Sequence, residues 1–202
     1  MARPILAASA LAVALCFTLS AAEQTFVFGK HGAKHNNIII NSQTDLESIT
    51  TTTNNVQGEM KWDRDAKSGS AKITVPVSSL NTGIKDRDEH LQGEKWLNAA
   101  KNPSITFETT SVKHKEGDQY EIAGNFTMNG VTKPVNTVAT VKYIPLSPEL
   151  EKAHMPKGNL ARIFADFDVK LSDFNVKAPA VPANVSDTLK ITIKLMGVDE
   201  VK

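Results

Sequence analysis

Residues 119–135 read QYEIAGNFTMNGVTKPV. Tyr120, Ile122, Phe126 and Met128 alternate with Glu121, Asn125 and Thr127, which is the period of a strand with one buried and one wet face. Only Asn129 and Gly130 separate Met128 from Val131, and this dipeptide tolerates positive φ at both central turn positions. The stretch predicts an antiparallel hairpin closed by a two-residue primed turn.

The same alternation recurs on both sides. Ile73, Val75 and Val77 alternate with Lys72, Thr74 and Pro76. Residues 135–143 behave likewise, as do Ile163, Ala165, Phe167, Val169 and Leu171, and Leu189, Ile191, Ile193 and Leu195. Weaker strand signals cover residues 25–29, 37–42 and 56–62, and residues 65–69 and 115–118 read as slightly longer hairpin loops. About eight short strands without a long helix predict an all-β fold, either a sandwich or a closed antiparallel barrel. Two segments depart from this: a helical excursion near residues 88–100, and a Pro-bounded loop, 145–156, where Ser147 and Pro148 can start one short helical turn.

The first 22 residues read differently. Arg3 precedes an apolar run over residues 5–19, and Ser20, Ala21 and Ala22 supply small residues for a signal peptidase. The run is too short and too weakly flanked for a spanning helix, so the expectation is a signal peptide at 1–22 and one domain at 23–202, periplasmic or secreted. The single cysteine, Cys16, falls inside the leader and follows Leu15, which does not suit lipid modification. The remaining 180 residues then carry no thiol, and their stability comes from a core, which a chain of this length supplies by burying roughly 70% of its unfolded surface.

Arg3 is one of 23 basic residues, so the domain balances 22 basic against 22 acidic side chains. No basic stripe or polybasic run is present, which argues against nucleic acid and against electrostatic docking on anionic membranes.

Residues 87–90 place Arg87, Asp88, Glu89 and His90 in succession. As metal ligands they fail on spacing, because side chains that share a helix face recur at i+3 or i+4. His31 and His35 have that spacing but sit in a Gly-interrupted loop or strand. No Gly-x-Ser-x-Gly elbow is present. Asp88 with His90 offers acid/base chemistry, so a periplasmic hydrolase or isomerase is the alternative reading, and charged caps or salt bridges at a short helix are the bland one.

The succession SSLNTGIKDRDEHLQGEKWLNAAKNPSITFETTSV, then GNFTMNGVTKPV, LSDFNV and VSDTLKI, resembles the YceI-like family of exported polyisoprenoid-binding proteins over about residues 55–197. The resemblance implies an extended, lipocalin-like antiparallel barrel that holds a long isoprenoid or similar lipid, without enzymatic activity. Two departures stand out: His35 is followed by Asn36 where a His-Ser pair is typical, and Asn175 takes a place where Gly is usual.

In an eight-stranded barrel the interior is either filled by side chains or holds one slim ligand. The inward set predicted here is Ile73, Val75, Val77, Phe107, Ile122, Phe126, Met128, Val141 and Phe167. A helical flap after Leu80 folds Leu91, Trp96 and Leu97 over the barrel, and Arg87 and His90 then stand where a head group can be held, or else pair locally. The expectation is a carrier of a long apolar lipid, such as a polyprenyl compound or quinone, with no metal, no cofactor beyond that non-covalent lipid, no nucleic-acid partner and no stable membrane insertion, as a monomer or homodimer. A third reading, an interaction module with a solid core, predicts no cavity.

Overall fold

Asn129 and Gly130 both take positive φ, 49° and 74°, and the hairpin they close pairs Met128 with Val131. The Thr127 and Thr132 hydroxyls meet at 2.8 Å just below the turn. The structure, a computed structural model, describes residues 23–29 and 33–199.

Ten strands are present among the described residues: β1 Gln24–Phe28, β2 Asn37–Gln43, β3 Ser48–Thr53, β4 Gln57–Asp63, β5 Ser68–Pro76, β6 Ser104–His114, β7 Gln119–Met128, β8 Val131–Ile144, β9 Leu160–Lys170 and β10 Thr188–Asp199. They build a closed, antiparallel, eight-staved barrel, because two staves are broken. β1 and β2 lie along the same edge of β10, and β4 and β3 pair with them in turn. From Val27 to Asn37 the first stave advances ten residues while its partner on β10 moves only four, from Val198 to Lys194, so six residues loop out. From the third stave onward each strand pairs with the next in sequence, and β10 closes on β1 and β2. This is an up-and-down barrel, which leaves no long free edge.

Local chemistry sets the turns. Asp63 accepts from the backbone N–H groups of Asp65 and Ala66, an Asx turn completed by Lys67 at φ 52°. Ser147 caps the short helix α2, Pro148–Lys152, by accepting from the Leu150 N–H. Asn175 ends the 3₁₀ turn Leu171–Phe174 with φ 57°, a left-handed position that Asn tolerates.

The sequence-based expectations need correction at five places. The flap helix, α1, spans Lys85–Gln92 rather than 88–100, because Gly93 stops it and the chain then turns through Asn98 at φ 48° toward Pro103. β3 and β6 carry no predicted strand: in β3, with one apolar residue, Ile49, the alternation is carried by threonines, of which Thr51 and Thr53 are buried, and in β6, where Phe107 alone was expected to face inward, the alternation of Ile105 and Phe107 gives way to polar residues and a register shift between Thr109 and Ser111. Val77 is buried but leaves the alternation, because it begins the 3₁₀ turn Val77–Ser79 and its N–H is taken by the Pro103 carbonyl. Arg87 pairs with none of its neighbours but with Glu47, forty residues upstream. His31 and the leader, 1–22, lie outside the described residues.

An antiparallel meander sorts its connections to two ends. At one end lie residues 44–47, the flap 77–103, the Asn129–Gly130 turn and the segment 171–187; at the other lie 64–67, 115–118 and 145–159.

Candidate functional site

The barrel interior is a cavity of about 590 Å³. Ile73 and Val75 of β5, Phe107 of β6, Ile122, Phe126 and Met128 of β7, Val141 of β8 and Phe167 of β9 line it, each pointing in by strand alternation. Leu80, Arg87, His90, Leu91, Trp96 and Leu97 line it from the flap. Val77, predicted with them, packs in the surrounding core instead. The wall also includes residues outside the predicted inward set: Ile38 and Ile40 of β2, Thr51 and Thr53 of β3, Ile191, Ile193 and Leu195 of β10, and Pro179, Ala180 and Val185 of the segment before β10.

One end is closed by aromatic rings. Trp62 stands edge-on to Tyr120 at 6.1 Å and tilts against Phe26 at 6.3 Å, while Phe26 meets Tyr143 at 6.3 Å. Outside this floor the Arg64 guanidinium covers the Tyr143 ring at 3.8 Å. Burial pushes the Tyr120 phenol above its usual 10.0, so the floor presents a neutral hydroxyl at physiological pH. Higher up, Phe126 meets Phe167 at 5.9 Å and Phe174 at 5.5 Å, both edge-to-face, which ties the wall to the segment crossing the open end.

Gly124 shapes the wall. A Cβ there would fall 2.3 Å from Cζ of Phe107, so the missing side chain provides the space in which that ring lies. This signal is present in the sequence as a glycine inside a strand pattern, which marks close approach.

The opposite end is the mouth, where polar residues collect. Arg87 Nη2 donates to Glu47 Oε1 at 2.6 Å, both side chains about one-third exposed. Asp88 Oδ1 accepts from both the Thr82 N–H and its hydroxyl at 2.7 Å, fixing the start of α1. Glu89 lies 3.6 Å from Lys85 on the exposed helix face. Thus the four residues of the RDEH run face different ways, and Arg87 and His90 reach the cavity. Asn102 Nδ2 donates to Asn129 Oδ1, and Asn129 Nδ2 donates to the Phe174 carbonyl, both at 3.0 Å, linking flap, hairpin turn and crossing segment around the rim. Among the described residues no group of three His, Cys, Asp or Glu side chains is arranged to hold a metal.

The sequence matches the YceI-like domain over residues 19–196. The chain belongs to the YceI-like family. Protein YceI of Salmonella arizonae is 38% identical over 140 residues, which cover 67% of this chain and 68% of that protein. Two solved structures share the YceI-like barrel seen here. BcnA of Burkholderia cenocepacia superposes with a TM-score of 0.70 at 20% identity, covering 83% of this chain and 99% of BcnA. A polyisoprenoid-binding domain from Saccharophagus degradans, implicated in plant cell wall breakdown, superposes with a TM-score of 0.62 at 15% identity, covering 88% and 99%. That domain and this chain thus share one fold. Among the described residues no helix is long and apolar enough to cross a membrane.

Proposed function

We propose that the protein is an exported carrier that sequesters a long-chain apolar lipid of the isoprenoid class inside its barrel. The observation that carries this reading is the apolar cavity that runs from a polar mouth to an aromatic floor. At about 30 Å³ per methylene-sized group, the share a water takes in the liquid, its 590 Å³ accommodates roughly 20 such groups. At about 0.8 kcal/mol each, their burial gives on the order of 16 kcal/mol, which exceeds association costs of about 4–15 kcal/mol. Membership of the YceI-like family and the likeness to a polyisoprenoid-binding domain support the same ligand class.

The mouth favours an uncharged head group. Arg87 is already neutralised by Glu47, so an anionic phosphate arriving there meets that carboxylate as well, whereas a hydroxyl or quinone carbonyl takes a hydrogen bond from His90 or Arg87 without that repulsion. A binding role is favoured over catalysis because the carboxylate that would serve His90 is engaged elsewhere, Asp88 being held by Thr82. Export follows from the apolar leader, and cleavage before Glu23 would leave β1, which begins at Gln24, whole.

Organic extraction of the protein purified from its host, followed by mass spectrometry, tests the proposal. The expected result is a long-chain lipid at up to one per chain, lost in Phe126→Arg, where an unpaired guanidinium stands in the lumen, and kept with affinity lowered by roughly 1–2 kcal/mol in His90→Ala. An enzyme reverses that ranking, with binding kept and turnover lost in His90→Ala. A wild-type protein that yields no lipid and takes none up refutes the carrier.

A further inference from the structure

Two of the large exposed apolar side chains lie in connections at the mouth end of the barrel. Leu46 is 72% exposed and Ile84 49% exposed. Neither is on a loose loop. Leu46 sits at the tip of the β2–β3 connection, where Thr44 Oγ1 accepts from the N–H groups of Leu46 and Glu47 at 3.2 and 3.0 Å. Ile84 immediately precedes α1, and the backbone on both sides of it is pinned: Asp88 holds Thr82, and the Ile84 carbonyl accepts from the Arg87 and Asp88 N–H groups. The Arg87–Glu47 pair then ties the two turns to each other, one residue beyond Leu46 and three beyond Ile84. The fold therefore holds two aliphatic side chains out in water, on one braced ridge, beside the opening of an apolar cavity.

We propose that this ridge is the surface by which the protein docks on a lipid bilayer, Leu46 and Ile84 inserting between the head groups so that a lipid passes between bilayer and cavity without crossing water. The inference rests on the carrier reading and adds the surface of exchange. Side chains that only capped the mouth would fold inward onto Leu91 and Trp96, as apolar residues of a flap otherwise do. Charge selects the kind of bilayer: around the tips Asp45, Asp86 and Glu89 outnumber Lys85, so the surface fitted is zwitterionic rather than anionic, and attachment depends on aliphatic insertion. The contact is shallow and reversible.

The test uses the full mature protein and phosphatidylcholine vesicles. Co-sedimentation measures docking, and loading from detergent-solubilised polyprenol measures carriage without a bilayer. The expected result is that Leu46→Asp and Ile84→Asp each reduce vesicle-bound protein several-fold and the double variant at least tenfold, with detergent loading unchanged and little effect of added salt. Leu146→Asp, an exposed apolar side chain in the connection at the opposite end, serves as control and leaves docking intact. The proposal is overturned if the double variant sediments like wild type, if phosphatidylglycerol vesicles bind better than phosphatidylcholine vesicles, or if equilibrium ultracentrifugation shows the ridge buried between two copies, as a dimer that the double variant dissolves. Failure of detergent loading in wild type refutes carriage instead and leaves the sedimentation result to judge docking.

Discussion

Replacing Gly124 with Ala tests how the cavity wall is packed. The new methyl would lie 2.3 and 2.5 Å from two carbons of the Phe107 ring and 2.7 Å from the Glu108 carbonyl oxygen. Carbon atoms pack at about 3.5–4.0 Å, so the ring has to retreat by roughly 1.2 Å or more, and the room for that lies in the lumen. The carbonyl is less free, because Glu108 pairs with Asn125 in the β6–β7 ladder. Overpacking of this kind costs about 1–3 kcal/mol, and the lower entropy of Ala in the unfolded chain returns about 0.4–1 kcal/mol. The expected net loss, on the order of 1–2 kcal/mol, lowers Tm by about 2–8 °C in a chain of this size. Thermal melts of wild type, Gly124→Ala, Phe107→Leu and the double variant measure the coupling directly. In the Phe107→Leu background the same alanine costs less, only the share due to the Glu108 carbonyl remaining, and lipid uptake, reduced in Gly124→Ala by the displaced ring, recovers. If Gly124→Ala costs the same in both backgrounds, the ring is not what occupies the space.

Gly130→Val places a β-branched side chain at φ 74°, with its Cβ 3.0 Å from Asn102 Oδ1, and lowers stability by about 1–3 kcal/mol in a thermal melt; an unchanged midpoint contradicts the primed turn. His35 supplies a pH dependence. Burial, and then the charges of Lys34 and Arg162, hold its pKa below the ordinary 6.5, so between the two values the unfolded chain binds the extra proton. Stability from this residue is complete above about pH 6.5 and is lost as the pH falls through the folded-state value. Urea midpoints at pH 7.5 and 5.5 therefore differ, and the difference narrows in His35→Gln; an equal difference in both proteins places the titrating group elsewhere.

Most of the barrel was legible because an up-and-down meander writes each stave as one period-two run with a turn after it. What escaped was set by partners far away in sequence. The threonine strand Ser48–Thr53 offers β-branched side chains but only one strongly apolar residue, and Thr51 and Thr53 are buried because the closed barrel turns them toward its interior. Val77 continues the alternation of β5 in letters, yet Pro76 ends the ladder and the backbone turns. The mouth was half legible: Arg87 and His90 were placed toward the cavity, but nothing near Arg87 points to Glu47. Alternation also reads the same for a filled and a hollow barrel, since both require apolar inward residues; glycine at position 124 is one of the few letters that report how the space is divided.

The seam at which β10 meets β1 and β2 is unlike every other seam in the barrel. Other neighbouring staves are joined by direct connections, whereas this one brings Phe26 to Asp199 across nearly the whole domain. Hairpins close over short loops and form early, while a contact of such sequence separation bears the largest closure entropy and forms last. The chamber is thus complete only when the last strand pairs with the first. A lipid present at that moment can be enclosed as the wall completes itself, without passing the mouth at all, so the occupancy of a freshly folded molecule reflects where it folded rather than what it later met.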